Sequence, residues 1–174
     1  MPGYVIHLAI GKKYIENNNI RDKEKFLKGC IAPDLLDKKT SHYGNSSDNP
    51  DFQKFLEQNS LSSEYNQGYL LHLISDYLFY NKYLKNFIDE FSDEIYHDYN
   101  KLNEVLIKKY NVEVPSEIES VVGLEAGEPI NFDRESICRF IDAVAQIDLE
   151  KCKNLEEYLK EYKIEKEEET EFRE

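Results

Sequence analysis

Residues 62–87 read SSEYNQGYLLHLISDYLFYNKYLKNF. Tyr65, Tyr69, Leu70, Leu73, Tyr77, Phe79, Tyr80, Tyr83, Leu84 and Phe87 fall nearly all round a 3.6-residue repeat. A helix that is apolar on every side belongs at the centre of a fold. Ser62 or Ser63 supplies its N-cap. The stretch therefore predicts a buried central helix near residues 63–90. Two residues interrupt its apolar surface: His72 and Asp76, four apart, lie one above the other on a single face.

The segments on either side also read as helices. Val5, Leu8, Ala9 and Ile15 predict a first helix over residues 4–17. Residues 22–27 form a short helical turn. Residues 29–39, GCIAPDLLDKK, read as a bend, with Pro33 fitting the first turn of a short helix. Residues 40–50 read as a polar loop in which Asp48 or Asn49 caps a helix over 50–58. Further helices are predicted over 93–110, over 134–147 behind an Asp133 cap, and over 154–163. Residues 112–119 (with Pro115) and 122–129 connect them. The one β-like stretch, residues 111–114, is too short to suggest a sheet. The expectation is an all-α, single-domain helical bundle of about six to eight helices over residues 1–163. The acidic tail 164–174 reads as a solvated helix end, with an acidic interaction segment as the sharper alternative.

Composition narrows the function classes. The chain has 174 residues, 35 Asp plus Glu against 22 Lys plus Arg, and a net charge of −13. Such a charge disfavours sequence-independent nucleic-acid binding, which depends on cationic phosphate contacts. It also disfavours polybasic docking on anionic membranes. No apolar run approaches the roughly 18 residues of a membrane span. The N-terminal residues lack a basic leader, and Cys30, Cys138 and Cys152 are odd in number and far apart. Both features predict a cytoplasmic protein with reduced thiols. A catalytic Cys30 with His42 is the weaker alternative, because no known spacing joins them.

The chemistry concentrates on few residues. The chain has four histidines: His7, His42, His72 and His97. Asp34 lies in the Ala-Pro-Asp bend, Asp76 one turn from His72, and Asp98 beside His97. Histidine with aspartate is the ligand chemistry of Zn²⁺ and related divalent ions. Taken alone, each histidine fits a hydrogen-bonded core residue and His72–Asp76 a plain helical contact. Asp76 decides for a site, because a carboxylate inside an aromatic helix costs several kcal/mol unless it is paired or ligating.

The start MPGYVIH, the GCIAPD bend, the SHY loop and GYLLHLISD together resemble the zinc-dependent phospholipase C family, whose superfamily includes single-strand zinc nucleases. The likeness covers roughly residues 1–100. It implies an all-α fold, hydrolysis of phosphoesters, and His7, Asp34, His42, His72 and Asp76 as metal ligands, with His97 matching a later ligand histidine. The chain departs from the pattern in three places. The family's secreted members use the mature N-terminal amine, and no leader is evident here. Histidines expected soon after His-x-x-x-Asp are replaced by Tyr80 and Asn81. The late His-x-x-x-Glu pair is absent, because Lys101 follows His97, leaving Asp98 as its substitute. The resemblance thus implies one or two ions, zinc first, with manganese, iron or nickel as alternatives.

The expected function is a metal-dependent hydrolase of a small phosphoester, with no nucleic-acid partner and no membrane insertion. Asp34 or Asp98 is the candidate proton acceptor for an attacking water. Lys38, Lys39, Asn81 and Lys101 are candidate phosphate contacts, and Tyr43, Tyr77, Tyr80 and Tyr99 candidate pocket walls. A non-catalytic helical metal-binding module, a phosphohydrolase of the HD-domain kind suggested by the His97-Asp98 doublet, and a purely structural helical protein are the competing readings.

Overall fold

Two glycines set the architecture. Helix α2 (Lys23–Leu35) and helix α5 (Glu64–Leu78) cross at Gly29 and Gly68. A Cβ on Gly68 would collide with the Phe26 carbonyl oxygen, and one on Gly29 with that of Tyr65. The two backbones touch directly, and only glycine permits that approach. The computed structural model describes residues 3–36, 38–44, 46–84 and 95–164, and all of the regular structure among them is helical.

Around this pair stand α1 (Tyr4–Asn17), the short α3 (Lys38–Ser41), α4 (Phe52–Gln58), α6 (Ile95–Tyr110), α7 (Arg134–Val144) and α8 (Leu155–Glu161). They form one compact all-α domain, in which α1 packs against α2, α5, α6 and α7. The caps follow residue chemistry. The side chains of Ser63 and Asp133 accept from the amides of Asn66 and Ser136, as their capping chemistry predicts. No helix among the described residues is long and apolar enough to cross a membrane.

The core is aromatic, as the composition suggests. Phe79, Tyr83, Phe132 and Phe140 form one cluster with ring centroids 5.3–6.1 Å apart. The Tyr83 hydroxyl meets Ser136 Oγ at 2.7 Å, so its polar end is satisfied inside the core. Ile137, Phe140, Ile141 and Val144 present the buried face of α7.

Several boundaries differ from the sequence reading. The 29–39 segment is not a bend up to Leu35, because α2 runs through Pro33. Proline lacks an N–H and strains a helix interior. Here it stands in the last turn, and the Leu36 amide still reaches Ala32 O at 3.1 Å. The cap of α4 is Asp51, which accepts from Lys54 N at 3.0 Å, rather than Asp48 or Asn49. The central helix is α-helical to Leu78 and then widens into a π-helix over Phe79–Leu84. Helix α7 ends at Val144, and α8 spans Leu155–Glu161, each shorter than read. Residues 111–114 form no strand, and Asn111 takes a left-handed φ of 54° just past α6. The far end of the predicted central helix beyond residue 84, the start of the 93–110 helix, the tail from residue 165, and the side chains of Lys38, Lys39 and Cys152 lie outside the described residues.

Candidate metal centre

Three helices and one loop bring five side chains to one point. Residues 69, 72 and 76 share a face of α5 by helical spacing. The close crossing at Gly29–Gly68 places the end of α2, with Cys30 and Asp34, against that face. The end of α3 and the turn behind it deliver Ser41 and His42 from one side. Helix α1 delivers His7 from the other.

The distances are short and mutually consistent. His42 Nε2 lies 3.2 Å from Asp34 Oδ1 and 3.3 Å from Asp76 Oδ2. His72 Nε2 lies 3.5 Å from Asp34 Oδ1 and 3.3 Å from Asp76 Oδ2. His7 Nε2 lies 3.2 Å from the other oxygen of Asp76, Oδ1. The His7 and His72 rings stack with centroids 3.6 Å apart and planes 9° apart. None of the three Nε2 atoms has a partner in hydrogen-bonding alignment among the described residues.

That combination has a simple physical reading. Donor atoms around an ion with bonds of about 2.0–2.1 Å stand about 3.3–3.4 Å apart at the corners of a tetrahedron. The four contacts that His42 Nε2 and His72 Nε2 make with Asp34 Oδ1 and Asp76 Oδ2, at 3.2–3.5 Å, are close to that edge length. The buried His/Asp cluster is therefore able to hold a metal ion, both as His7, His72 and Asp76 and as Asp34, His42 and His72. His72 cannot serve two ions through its two nitrogens. Its Nδ1 lies 2.6 Å from the Cys30 carbonyl oxygen, an acceptor that requires Nδ1–H and leaves the Nε2 lone pair facing the cluster.

Further groups hold the ligands in place. His42 Nδ1 meets Ser41 Oγ at 2.9 Å. The Tyr69 hydroxyl donates to the Ser41 carbonyl, tying α5 to the His42 segment. The Tyr4 hydroxyl donates to the Asp34 carbonyl at 3.1 Å. Neither Cys30 nor Ser41 stood out in the sequence as a support. Tyr69 was visible in principle, through its place on the His72–Asp76 face.

Burial and charge act strongly on the cluster. The side chains of His7, His72 and Asp76 are at most 1% exposed, His42 is 6% exposed and Asp34 18%. Solvent thus reaches the group from the Asp34 side. Burial, with the nearby His72 charge, pushes His7 down to about 4. Burial opposes charge on His72 too, but the Asp76 and Asp34 carboxylates outweigh it and lift the group to about 9. On His42 the adjacent Asp34 and Asp76 carboxylates likewise overcome burial and raise it. Burial would raise both carboxyls, yet the imidazoles hold Asp34 and Asp76 well below the usual carboxylate range. The two carboxylates thus favour a proton on His72 where no ion is bound. An ion would displace that proton, because only neutral imidazole ligates.

The remaining candidates lie elsewhere. His97 is 56% exposed, with Nδ1 2.9 Å from Glu125. Asp98 is fully buried, and its carboxylate accepts from Ile130 N at 2.7 Å and from Asn131 N. It clamps the 130–131 loop onto α6. The structure therefore places His97 and Asp98 outside the cluster, and the Asp98 carboxylate is committed to two amides rather than available to a water. Lys101 acts on Glu125. Asn81 donates to the Asp48 and Tyr77 carbonyls. Tyr43 and Tyr77 pack against Phe55 and Phe52.

No protein-family model matches the chain, and no curated protein or solved structure matches it. What the fold and the site define is an all-α domain with a buried three-histidine, two-aspartate cluster able to hold a metal ion.

Proposed function

We propose that the protein is a metal-dependent hydrolase of phosphoesters, acting on a small soluble substrate with zinc as its first-choice ion. The observation that carries the reading is the convergence of three buried histidine Nε2 atoms on two carboxylates at 3.2–3.5 Å. The order His7, Asp34, His42, His-x-x-x-Asp is the pattern that resembles the zinc-dependent phospholipase C family. Nitrogen-rich donor sets favour zinc, and manganese, iron and nickel accept the same donors.

Asp34, His42 and His72 would hold one ion. His7 Nε2 and Asp76 Oδ1 are the donors left for a second. The chemistry such ions supply when bound is a water of lowered pKa and a polarised phosphoryl oxygen. The protein's own groups do the rest. The Cys30 carbonyl fixes the tautomer of His72. Ser41 and Tyr69 orient His42. The aromatic helix excludes water from Asp76. Asp34, the carboxylate that solvent reaches, is the group placed to take a proton from an incoming water. The net charge of −13 disfavours long anionic polymers and favours a small substrate.

A second reading has its own observation. Asp76 Oδ2 stands 3.3 Å from both His42 Nε2 and His72 Nε2, and as a fourth donor it would close the position that a catalytic ion keeps open. Hydrolysis decides between them. Metal-loaded protein is assayed on p-nitrophenyl phosphate and bis(p-nitrophenyl) phosphate, beside Asp34→Asn and His72→Ala. Turnover that both variants lose supports the hydrolase. Stoichiometric metal without turnover on either ester supports the closed site.

A further inference from the structure

A cleft of about 1210 Å³ runs between the end of α2, the turn behind α3 and α4. Nothing described so far uses it. Two of its wall residues, Ser41 and Tyr69, are the groups that hold His42. Its volume is that of a ligand site rather than of a packing defect.

One wall is held in a costly shape. Tyr43 takes a φ of 53°, left-handed backbone that a bulky residue rarely adopts. Gly44, which would adopt it freely, is the next residue. This strained turn, directly after His42, does two things. It sets the Tyr43 ring edge-on to Phe55 and Tyr69, with centroids 5.2 and 6.0 Å away. It also lets the Tyr43 carbonyl accept from the Asp51 amide, which closes the loop onto the start of α4. Strain of this kind gathers where a chain clamps a ligand.

The lining selects the chemistry. The charged walls are one cation, Lys54, against the carboxylates of Asp51 and Glu156, a balance that disfavours an anion. Asn49, Gln53 and Gln58 contribute amides, and Ser41 a hydroxyl. These groups both donate and accept hydrogen bonds. Leu36 and the tyrosine rings add apolar faces. Mixed donors and acceptors beside aromatic faces match a sugar, which carries hydroxyls on its rim and C–H groups on its faces.

We infer that the cleft binds a neutral polyhydroxylated ligand, a short oligosaccharide by its volume, in contact with the Ser41–Tyr69 support of His42. The inference does not rest on the hydrolase reading, because it concerns a second site beside the metal cluster. A ligand touching Ser41 and Tyr69 reaches His42 through two bonds already in place. They are Ser41 Oγ to His42 Nδ1 at 2.9 Å and the Tyr69 hydroxyl to the Ser41 carbonyl.

The test uses the full chain as purified. Myo-inositol, maltotriose, cellotriose and inorganic phosphate are titrated by calorimetry into wild type and into the double variant Gln53→Ala, Gln58→Ala. Both glutamines are exposed on α4, so their removal spares the core. NMR follows the His42 ring signals in the same titrations. The inference expects saturable binding of at least one neutral probe, weakened roughly tenfold or more in the double variant by the loss of two hydrogen bonds. It also expects the His42 signals to shift at saturation. No saturation by any neutral probe, equal affinity in the double variant, or His42 signals unmoved at saturation would each overturn it. Phosphate binding that the double variant weakens would overturn it too, since the cleft would then take an anion. A wild type that passes these tests without containing metal sustains this inference and sinks the metal reading alone.

Discussion

Gly68→Ala tests whether the site depends on the helix crossing. The new methyl would stand against the Phe26 carbonyl oxygen, with Cys30 N 3.0 Å from the same position. Ordinary non-bonded approach is about 3.5–4.0 Å, so α2 and α5 must part by on the order of 1 Å. Cys30 rides on α2 and His72 stands one turn along α5. Their Nδ1···O contact of 2.6 Å would lengthen to about 3.6 Å, which is no longer a hydrogen bond. Overpacking costs about 1–3 kcal/mol, and the lost buried hydrogen bond about 1–3 kcal/mol more. Alanine's higher helix propensity returns at most about 1 kcal/mol. The net expectation is a destabilisation of about 1–6 kcal/mol, read as a lower urea midpoint at unchanged slope. Metal uptake should weaken in parallel, since Asp34 moves away from His72. A Gly68→Ala protein with wild-type midpoint and wild-type metal affinity would refute the claim that this contact positions the ligands.

Two further outcomes follow from the cluster's charges and from the Asp98 clamp. Metal-free protein should be most stable near pH 6.5. His72, lifted to about 9, contributes stability below 6.5 that is lost as pH rises toward 9; its span is worth on the order of 3 kcal/mol. His7, lowered to about 4, contributes stability above 6.5 that is lost as pH falls toward 4. Urea midpoints measured in chelator from pH 4 to 9 should therefore form a dome, and a flat or steadily rising curve would contradict the assigned proton positions. Asp98→Ala strips the Ile130 and Asn131 amides of a buried charged acceptor and should cost about 2–4 kcal/mol, with metal content unaffected. Loss of metal in that variant, with stability intact, would return Asp98 to the site.

Much of the fold was legible because local and global signals agree. The all-round apolar run of the central helix and the Ser63 and Asp133 caps are encoded by neighbouring residues. The reading failed where tertiary contact overrides local chemistry. Gly29 and Pro33 look like helix breakers, yet Gly29 is a contact point with α5 and Pro33 falls harmlessly in a last turn. The same holds at the site. His7, Asp34, His42, His72 and Asp76 stand out by residue type, and the structure brings all five together. Asp98 also stands out by type, but a buried aspartate that accepts two loop amides looks identical in sequence to one that ligates. The Cys30 carbonyl is a backbone group, and no side-chain pattern announces it. Tyr99 stood out as a candidate pocket wall, and the structure buries it against Phe132.

The central claim is that the His/Asp cluster binds a metal ion, and elemental analysis tests it most directly. Wild-type and His72→Ala proteins, purified without chelator and dialysed against zinc or manganese, would be measured side by side. The cluster should give one or two equivalents of divalent metal in wild type and a clear loss in His72→Ala, with wild type destabilised by chelation. No metal in wild type with no effect of chelator on stability, or full metal content in His72→Ala, would contradict it.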